Sequence, residues 1–153
     1  MAVTVAPAAA EDLDEVLELF AGYQRFYTGR DAGDEQNRRF LERFVAPGEA
    51  GLLLVARDDA GAAVGFANLY WTFSSTEARE QVHLNDLFTA EVGRGRGVGR
   101  ALIDACAAVA RDRGCATLTW MTAVDNRVAQ RLYESTGAER SIWFEYELEV
   151  AGR

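Results

Sequence analysis

The apolar positions of the first half of the chain predict a strand and then two helices. The strand covers residues 3–5 and ends at Pro7. A helix follows over residues 11–27, because apolar residues recur there at intervals of three and four along one face. Those residues are Leu13, Val16, Leu17 and Phe20. A second helix is predicted over residues 34–45, ended by Pro47-Gly48.

A meander of three strands follows these helices. The strands are predicted over residues 52–56, 64–73 and 81–89, each a short apolar run bounded by turn residues. Residues 57–61 form the first turn, which is typical of a hairpin, and residues 74–78 form the second. Strands that return through short turns pair antiparallel.

The second half alternates helix and strand. A long helix runs from Gly99 to about Arg113, with Val98, Leu102, Ala105, Cys106 and Val109 on one face and Gly114 as its cap. A strand over residues 116–122, a short helix over 127–135 ended by Gly137, and a final strand over 142–148 complete the pattern. The sequence therefore predicts an α/β fold with a mixed sheet, an antiparallel meander followed by a βαβ-like half.

Composition narrows the function classes. The 153 residues are 49% hydrophobic and 26% charged, which suits one globular domain over residues 1–153. A net charge of −8 argues against a nucleic-acid binder and is compatible with a cationic partner. With no signal-peptide pattern and no stretch of ~18 apolar residues, we expect a cytoplasmic protein with no membrane contact. His83 is the only histidine and the two cysteines lack metal spacing, so no metal is predicted.

A glycine-rich turn before the long helix is the strongest chemical signal. Gly93, Gly95, Gly97 and Gly99 alternate there, and Arg94, Arg96 and Arg100 add positive charge. Glycines let backbone N–H groups converge without a Cβ in the way, and the helix N-terminus favours an anion. The turn therefore predicts a phosphate or pyrophosphate site.

Two common phosphate motifs do not fit this turn. A P-loop needs Gly-Lys-Ser/Thr at its end, which is absent. The dinucleotide fingerprint needs glycines at positions one, three and six, and position six is Val98, Arg100 or Leu102 in the three available registers. Neither a P-loop nucleotide site nor an NAD site is supported.

The turn instead matches Arg/Gln-x-x-Gly-x-Gly/Ala, with Arg94, Gly97 and Gly99 at the defining positions. This resembles the acetyl-CoA signature of the GCN5-related N-acetyltransferase (GNAT) superfamily. Residues 86–89 resemble the family's fourth strand, residues 98–113 its long third helix, and residues 125–138 its second cofactor motif. The aromatic segment at Tyr23 and the strand that contains Asp86 most resemble the corresponding segments of the polyamine- and histone-type branch.

The resemblance implies where acetyl-CoA would bind. The fourth and fifth strands of the family splay at a bulge, and pantetheine lies in the gap along Leu87, Phe88 and Thr89. The pyrophosphate would meet the N–H groups of the glycine-rich turn, and Asn126 would meet the pantetheine. The turn residues concerned are Arg94, Gly95, Arg96, Gly97, Val98, Gly99 and Arg100.

The resemblance also implies catalytic groups. Tyr133 matches the tyrosine that faces the cofactor sulfur, where a phenol of pKa ~10 can protonate the leaving thiolate. Where the family's polyamine-type members carry a carboxylate, this chain has Asn85, which cannot act as a base. His83 shares the face of Asn85 by strand alternation, whereas Asp86 points the other way unless a bulge changes the parity. Four explanations of how the amine loses its proton stay open: transfer to His83, transfer to Asp86, transfer to a distant carboxylate, or an amine that arrives neutral.

The acceptor would be an amine. Tyr23 and Tyr27 precede a glycine-bounded loop in the region that walls the family's acceptor pocket, with Asn85 and Trp120 as further candidates. Trp71 and Phe73 are aromatic residues that can join them or pack in the core. The sequence thus predicts direct acetyl transfer from acetyl-CoA to a primary amine, either polyamine-like or on a lysine or peptide. The alternative is a non-catalytic acyl-CoA sensor module, and the resemblance also allows a homodimer.

Overall fold

The computed structural model describes residues 2–46 and 48–151, so the predicted stop at Pro47 lies outside the described residues. The chain forms two compact units, one ending at Met121 and the other beginning at Thr122. The first holds the sheet and three helices, and the second holds one helix. That residues 1–153 form one domain remains a prediction.

The first unit is built on a five-stranded mixed sheet in the order β1-β2-β3-β4-β5. The strands are β1 Thr4–Pro7, β2 Gly51–Arg57, β3 Ala63–Ser74, β4 Arg79–Thr89 and β5 Leu118–Thr119. The first three pairings are antiparallel and the last is parallel. The predicted α/β class and meander are confirmed. Pro7 is the last residue of β1, so the strand ends where predicted, and an edge strand tolerates a proline there.

Four helices accompany the sheet. They are α1 Leu13–Thr28, α2 Asp34–Leu41, α3 Val98–Asp112 and α4 Arg127–Glu134. A short 3₁₀ turn, Ala10–Asp12, leads into α1, and another, Glu42–Phe44, follows α2. The predicted second helix therefore changes to 3₁₀ geometry for its last residues, where Phe44 is buried.

Helices α1 and α3 cover opposite faces of the sheet. Phe66 of β3 packs against the rings of Phe20 and Tyr23 on α1. A Cβ on the preceding residue, Gly65, would lie 3.0 Å from Val98 of α3, at the start of that helix. Because consecutive strand residues point to opposite faces, the two helices must lie on opposite sides. The buried stripe of α3 consists of Val98, Leu102, Ile103, Cys106 and Ala110.

The C-terminal prediction of a strand over residues 142–148 is wrong. These residues form neither helix nor strand, and their large apolar side chains are exposed, Trp143 by 87% and Phe144 by 86%. A strand needs a neighbouring strand to pair its N–H and C=O groups. The described part of its unit contains α4 as its regular element and no such neighbour. The strand predicted over residues 116–122 is also shorter, since only Leu118–Thr119 pairs with β4.

Candidate active site

A bulge in β4 decides which side chains share a face. Asn68 of β3 pairs with Asp86, and Leu69 pairs with Leu84, so Asn85 is an extra residue without its own partner. Directly paired residues point to the same face of a sheet, and neighbours along a strand point to opposite faces. Asp86 therefore shares the face of Asn68, and Leu84 shares that of Leu69.

The bulge brings His83 and Asp86 to one face although they are three residues apart. His83 pairs with Tyr70, which alternates in phase with Phe66 and Asn68 on β3. That face is the one covered by α1, since Phe66 packs there. The parity change that the sequence left open is present, and it places both candidate bases on the α1 side.

The Asp86 carboxylate is buried and held by three donors. It is 5% exposed. Asn68 Nδ2 donates to Oδ2 over 3.4 Å, Asn85 Nδ2 donates to Oδ1 over 3.0 Å, and the Tyr23 hydroxyl donates a third hydrogen bond. Burial raises the pKa of Asp86 above its ordinary 3.8, although these donors and His83 act in the opposite direction. The carboxylate therefore has an increased affinity for a proton.

Three tyrosines surround this carboxylate. The rings of Tyr23 and Tyr27 lie 4.9 Å apart, and Asn85 Nδ2 donates to the Tyr70 hydroxyl over 3.1 Å. Burial, with a contribution from the Asp86 charge, raises the pKa of Tyr23 and Tyr27 and raises that of Tyr70 to about 12. All three phenols therefore keep their protons near neutral pH. Aromatic rings beside a carboxylate suit a cationic amine.

Sequence reasoning missed Tyr70 and Asn68. Asn68 lies two residues and Tyr70 four residues beyond Phe66 on β3, so strand alternation alone gives them one face. An asparagine inside the apolar run of residues 64–71 was an available signal in the sequence. The structure buries Asn68 fully, and a buried amide needs hydrogen-bond partners. What the sequence lacked was the register of β4 against β3.

The other aromatic candidates lie elsewhere. Trp71 has the opposite parity to Tyr70, and the Arg113 guanidinium, just after α3, stacks 3.7 Å from the centre of its ring. Trp71 therefore faces away from Asp86 and Tyr70. Phe73 is 75% exposed near the end of β3, and Trp120 is half-buried immediately after β5.

The glycine-rich turn has the backbone geometry that an anion site needs. Gly95 and Gly97 have φ of 71° and 81°, where L side chains are disfavoured, and a Cβ on either would meet nothing within 4 Å. The first helical hydrogen bond of α3 runs from Ala101 N to Gly97 O over 3.0 Å. The N–H groups of Val98 and Gly99 precede it and have no acceptor within the helix. The residues present therefore fit a phosphate group.

Two of the arginines in this turn have partners within the chain. Arg94 Nε donates to the carbonyl of Thr89 over 3.3 Å and so ties the turn to the end of β4. Arg100 pairs with Asp104 one helical turn later, 3.0 Å away. Both side chains remain largely exposed, so their charge can still be felt by an anion at the turn.

The strands β4 and β5 part where the resemblance predicted a gap. They pair only through Val82 with Leu118 and His83 with Thr119. Beyond His83, no strand among the described residues pairs with β4 on that side, along residues 84–89. An open strand edge can take an extended ligand arm as an additional strand. The side chain of Phe88 meanwhile packs with Tyr23 and Phe66 on the α1 face.

The second unit carries the remaining predicted residues, Asn126 and Tyr133. Asn126 caps α4, with its Oδ1 accepting from Ala129 N over 3.2 Å. This hydrogen bond fixes the start of the helix. Tyr133 lies in the last turn of α4 and is half-buried. Their roles toward the cofactor remain predictions.

Within residues 2–46 and 48–151, no group of three or more His, Cys, Asp or Glu side chains is placed to hold a metal ion. Of the helices described there, none combines the length and apolarity needed to cross a bilayer.

Comparison with known proteins gives a consistent family. Residues 13–138 match the model of the acetyltransferase (GNAT) family. An uncharacterized N-acetyltransferase of Bacillus subtilis, YhfO, is 32% identical over 93% of each chain. The D-amino-acid N-acetyltransferase HPA3 of Saccharomyces cerevisiae is 29% identical over 84% of this chain and 78% of its own.

A solved structure has the same fold. The crystal structure of a probable acetyltransferase superposes with a TM-score of 0.85 at 31% identity, covering 98% of this chain and 99% of its own. Both the family model and this likeness extend over the glycine-rich turn and the β4 bulge. The chain therefore belongs to the GNAT family and is an acetyl-CoA-dependent N-acetyltransferase.

Proposed function

We propose that the enzyme acetylates a primary amine, on a polyamine-like small molecule or on a lysine or peptide, by direct attack on the thioester. The observation that carries this proposal is the buried Asp86 carboxylate among three tyrosines. It offers a proton acceptor and aromatic faces at one place, which is what an alkylammonium acceptor requires. The yeast relative is named for a D-amino acid, which also carries a primary amine on a small molecule.

Asp86 is the proton acceptor in this proposal. At 5% exposure it has little direct contact with solvent, whereas the Tyr23 hydroxyl that donates to it belongs to a less buried side chain. The acceptor amine gives a proton to Tyr23 Oη, and Tyr23 passes its own proton to Asp86. Because the pKa of Tyr23 is raised, the phenol is neutral before and after this relay.

When bound, acetyl-CoA supplies the thioester carbonyl carbon that the amine attacks. The new C–N bond replaces the C–S bond, and the departing sulfur takes a proton from Tyr133, the residue to which the resemblance assigns this role. The nitrogen gives up its second proton as the C–S bond breaks, and that proton, through solvent, replaces the one that Tyr133 gave. Residues 94–100 hold the pyrophosphate, residues 87–89 offer their backbone to pantetheine, and Asn126 meets pantetheine near the start of α4. A cytoplasmic location and a homodimer also remain predictions.

The test is a panel of amines with a matched pair of variants. Polyamines, amino acids, aminoglycosides and lysine peptides are incubated with acetyl-CoA, and released CoA is measured through its thiol. With the best acceptor, Asp86→Asn is expected to lower kcat by about 10²–10⁴-fold, the usual contribution of a general base. Asp59→Asn, which changes an exposed aspartate in the β2–β3 turn, is expected to keep the wild-type rate.

Two outcomes would overturn the proposal. Wild-type turnover by Asp86→Asn would remove the carboxylate from the reaction. Acetyl-CoA binding without transfer to any amine of the panel would favour the acyl-CoA sensor instead.

A further inference from the structure

Three polar side chains form a short hydrogen-bonded chain where β4 and β5 meet. Gln81 Nε2 lies 2.8 Å from the Thr119 hydroxyl oxygen, and His83 Nδ1 lies 3.1 Å from the same oxygen. Gln81 and His83 are two residues apart on β4 and so share a face, and Thr119 is the β5 partner of His83. All three side chains are partly buried, which limits competition from water.

The donor count favours one tautomer of the His83 ring. The Gln81 amide nitrogen can only donate, so the Thr119 oxygen accepts from it. The hydroxyl proton of Thr119 then has His83 Nδ1 as an acceptor within hydrogen-bonding distance, and in that arrangement Nδ1 accepts with its lone pair. A neutral imidazole that accepts at Nδ1 carries its proton at Nε2. The other tautomer would use both lone pairs of the Thr119 oxygen and leave its hydroxyl proton without an acceptor among these three side chains.

We propose that Gln81 and Thr119 are positioning residues that hold His83 as the Nε2–H tautomer, so that His83 presents a hydrogen-bond donor, and not a base, on the face that carries Asp86. Assigning that face to the acceptor rests on the proposed function. The ring donates its Nε2–H to an oxygen of the reacting molecules, and Asp86 accepts the proton of the amine. Burial, which lowers the pKa of His83, is consistent with a neutral ring.

The chain contains one histidine, so its ring can be observed without assignment. In ¹⁵N-histidine-labelled protein, a long-range ¹H–¹⁵N correlation distinguishes a protonated ring nitrogen from a bare one. The wild type is expected to show protonated Nε2 and bare Nδ1 at a pH where the ring is neutral. Protonated Nδ1 in the wild type would overturn the proposal.

Substitution of Gln81 is expected to reverse the tautomer. A carboxylate accepts and cannot donate, so in Gln81→Glu the Thr119 proton turns to residue 81 and His83 Nδ1 becomes the donor. The expected change is a switch to Nδ1–H, with kcat lowered about tenfold, the factor by which one charge-assisted hydrogen bond shifts an equilibrium. An unchanged tautomer in this variant would contradict the proposal.

Variants of Thr119 provide the internal controls. Thr119→Val removes the hydroxyl and is expected to give a tautomer mixture and about a twofold loss of kcat, in proportion to the competent fraction. Thr119→Ser keeps the hydroxyl and should restore both readouts, whereas Thr76→Val, in an exposed turn, should change neither. A pure Nε2–H signal in Thr119→Val would contradict the proposal. The resonances need neither acetyl-CoA nor an amine, so their failure is distinct from failure of the proposed function.

Discussion

The two faces of β3 and β4 are built from the same strands and differ at the bulge, where one stays apolar and the other buries polar groups. On the α3 side, Ala67 and Leu69 of β3 and Leu84 of β4 are at most 3% exposed and meet an apolar helix. On the α1 side, Asn68 and Asp86 are equally buried and polar. Residues two apart on a regular strand share a face. Because Asn85 is an extra residue at the bulge, Leu84 instead faces the α3 side and Asp86 the α1 side.

The difference shows where burial stabilises the fold and where burial costs free energy. Burying apolar side chains on the α3 face stabilises the fold, at roughly 25 cal/mol per Å² of apolar surface. Burying Asp86 costs free energy, and its raised pKa shows that its three donors recover only part of this cost. The Oδ1 atom of Asn68, buried without a partner among the described residues, adds to that cost. A buried carboxylate with this cost serves a purpose other than folding.

Placing a carboxylate on the apolar face is expected to have the largest effect. Leu84→Asp removes a buried leucine and adds a charge with no donors, which together should cost more than about 5 kcal/mol. We expect little folded protein at neutral pH, measured by circular dichroism and thermal melting. The volume-conserving Leu84→Met should stay within about 1.5 kcal/mol of the wild type. A well-folded Leu84→Asp would mean that the two faces do not differ as described.

Truncation of a fully buried side chain on α3 should lower the stability of the fold without lowering the rate of the reaction. Leu102→Ala is expected to lower the free energy of unfolding by about 2–5 kcal/mol in urea titrations. Its kcat per folded molecule should stay within about twofold of the wild type, because the α3 face takes no part in proton transfer. A loss of kcat as large as that of Asp86→Asn would remove this distinction.

Asp86→Asn, on the α1 face, is expected to have a smaller effect on stability, and to increase it. Since the pKa of Asp86 is raised on folding, the folded state binds more protons than the unfolded state above pH 3.8, and stability falls as pH rises through that window. Asp86→Asn removes this loss, and the new amide can donate to Asn68 Oδ1 once the Asn68 amide turns over, since Nδ2 of Asn68 faces residue 86 in the wild type. We therefore expect the variant to melt at a higher temperature than the wild type near neutral pH, with the difference shrinking as pH falls from the raised pKa of Asp86 to 3.8 and absent below that. A lower melting temperature at neutral pH would show that the carboxylate stabilises the fold.

Much of the fold and half of the site could be predicted from the sequence. The meander, the helix after Gly99 and the turn with Gly95 and Gly97 depend on local signals, namely hydrophobic period and glycine conformation. The grouping of Tyr70, Asn68 and Asp86 depends on a register shift between two strands, which no local pattern reports. The strand predicted over residues 142–148 failed because alternation signals a strand only if a partner strand is there to pair with it.

The central claim is that the bulge places Asp86 where it takes the proton of the acceptor amine. The most direct test is the pH profile of kcat/KM for the acceptor in the wild type, Asp86→Asn and His83→Gln. A base must be deprotonated, so we predict that wild-type activity falls as pH drops through the raised pKa of Asp86. That acid limb should persist in His83→Gln and disappear in Asp86→Asn. An acid limb that survives in Asp86→Asn and vanishes in His83→Gln would contradict the account and make His83 the base.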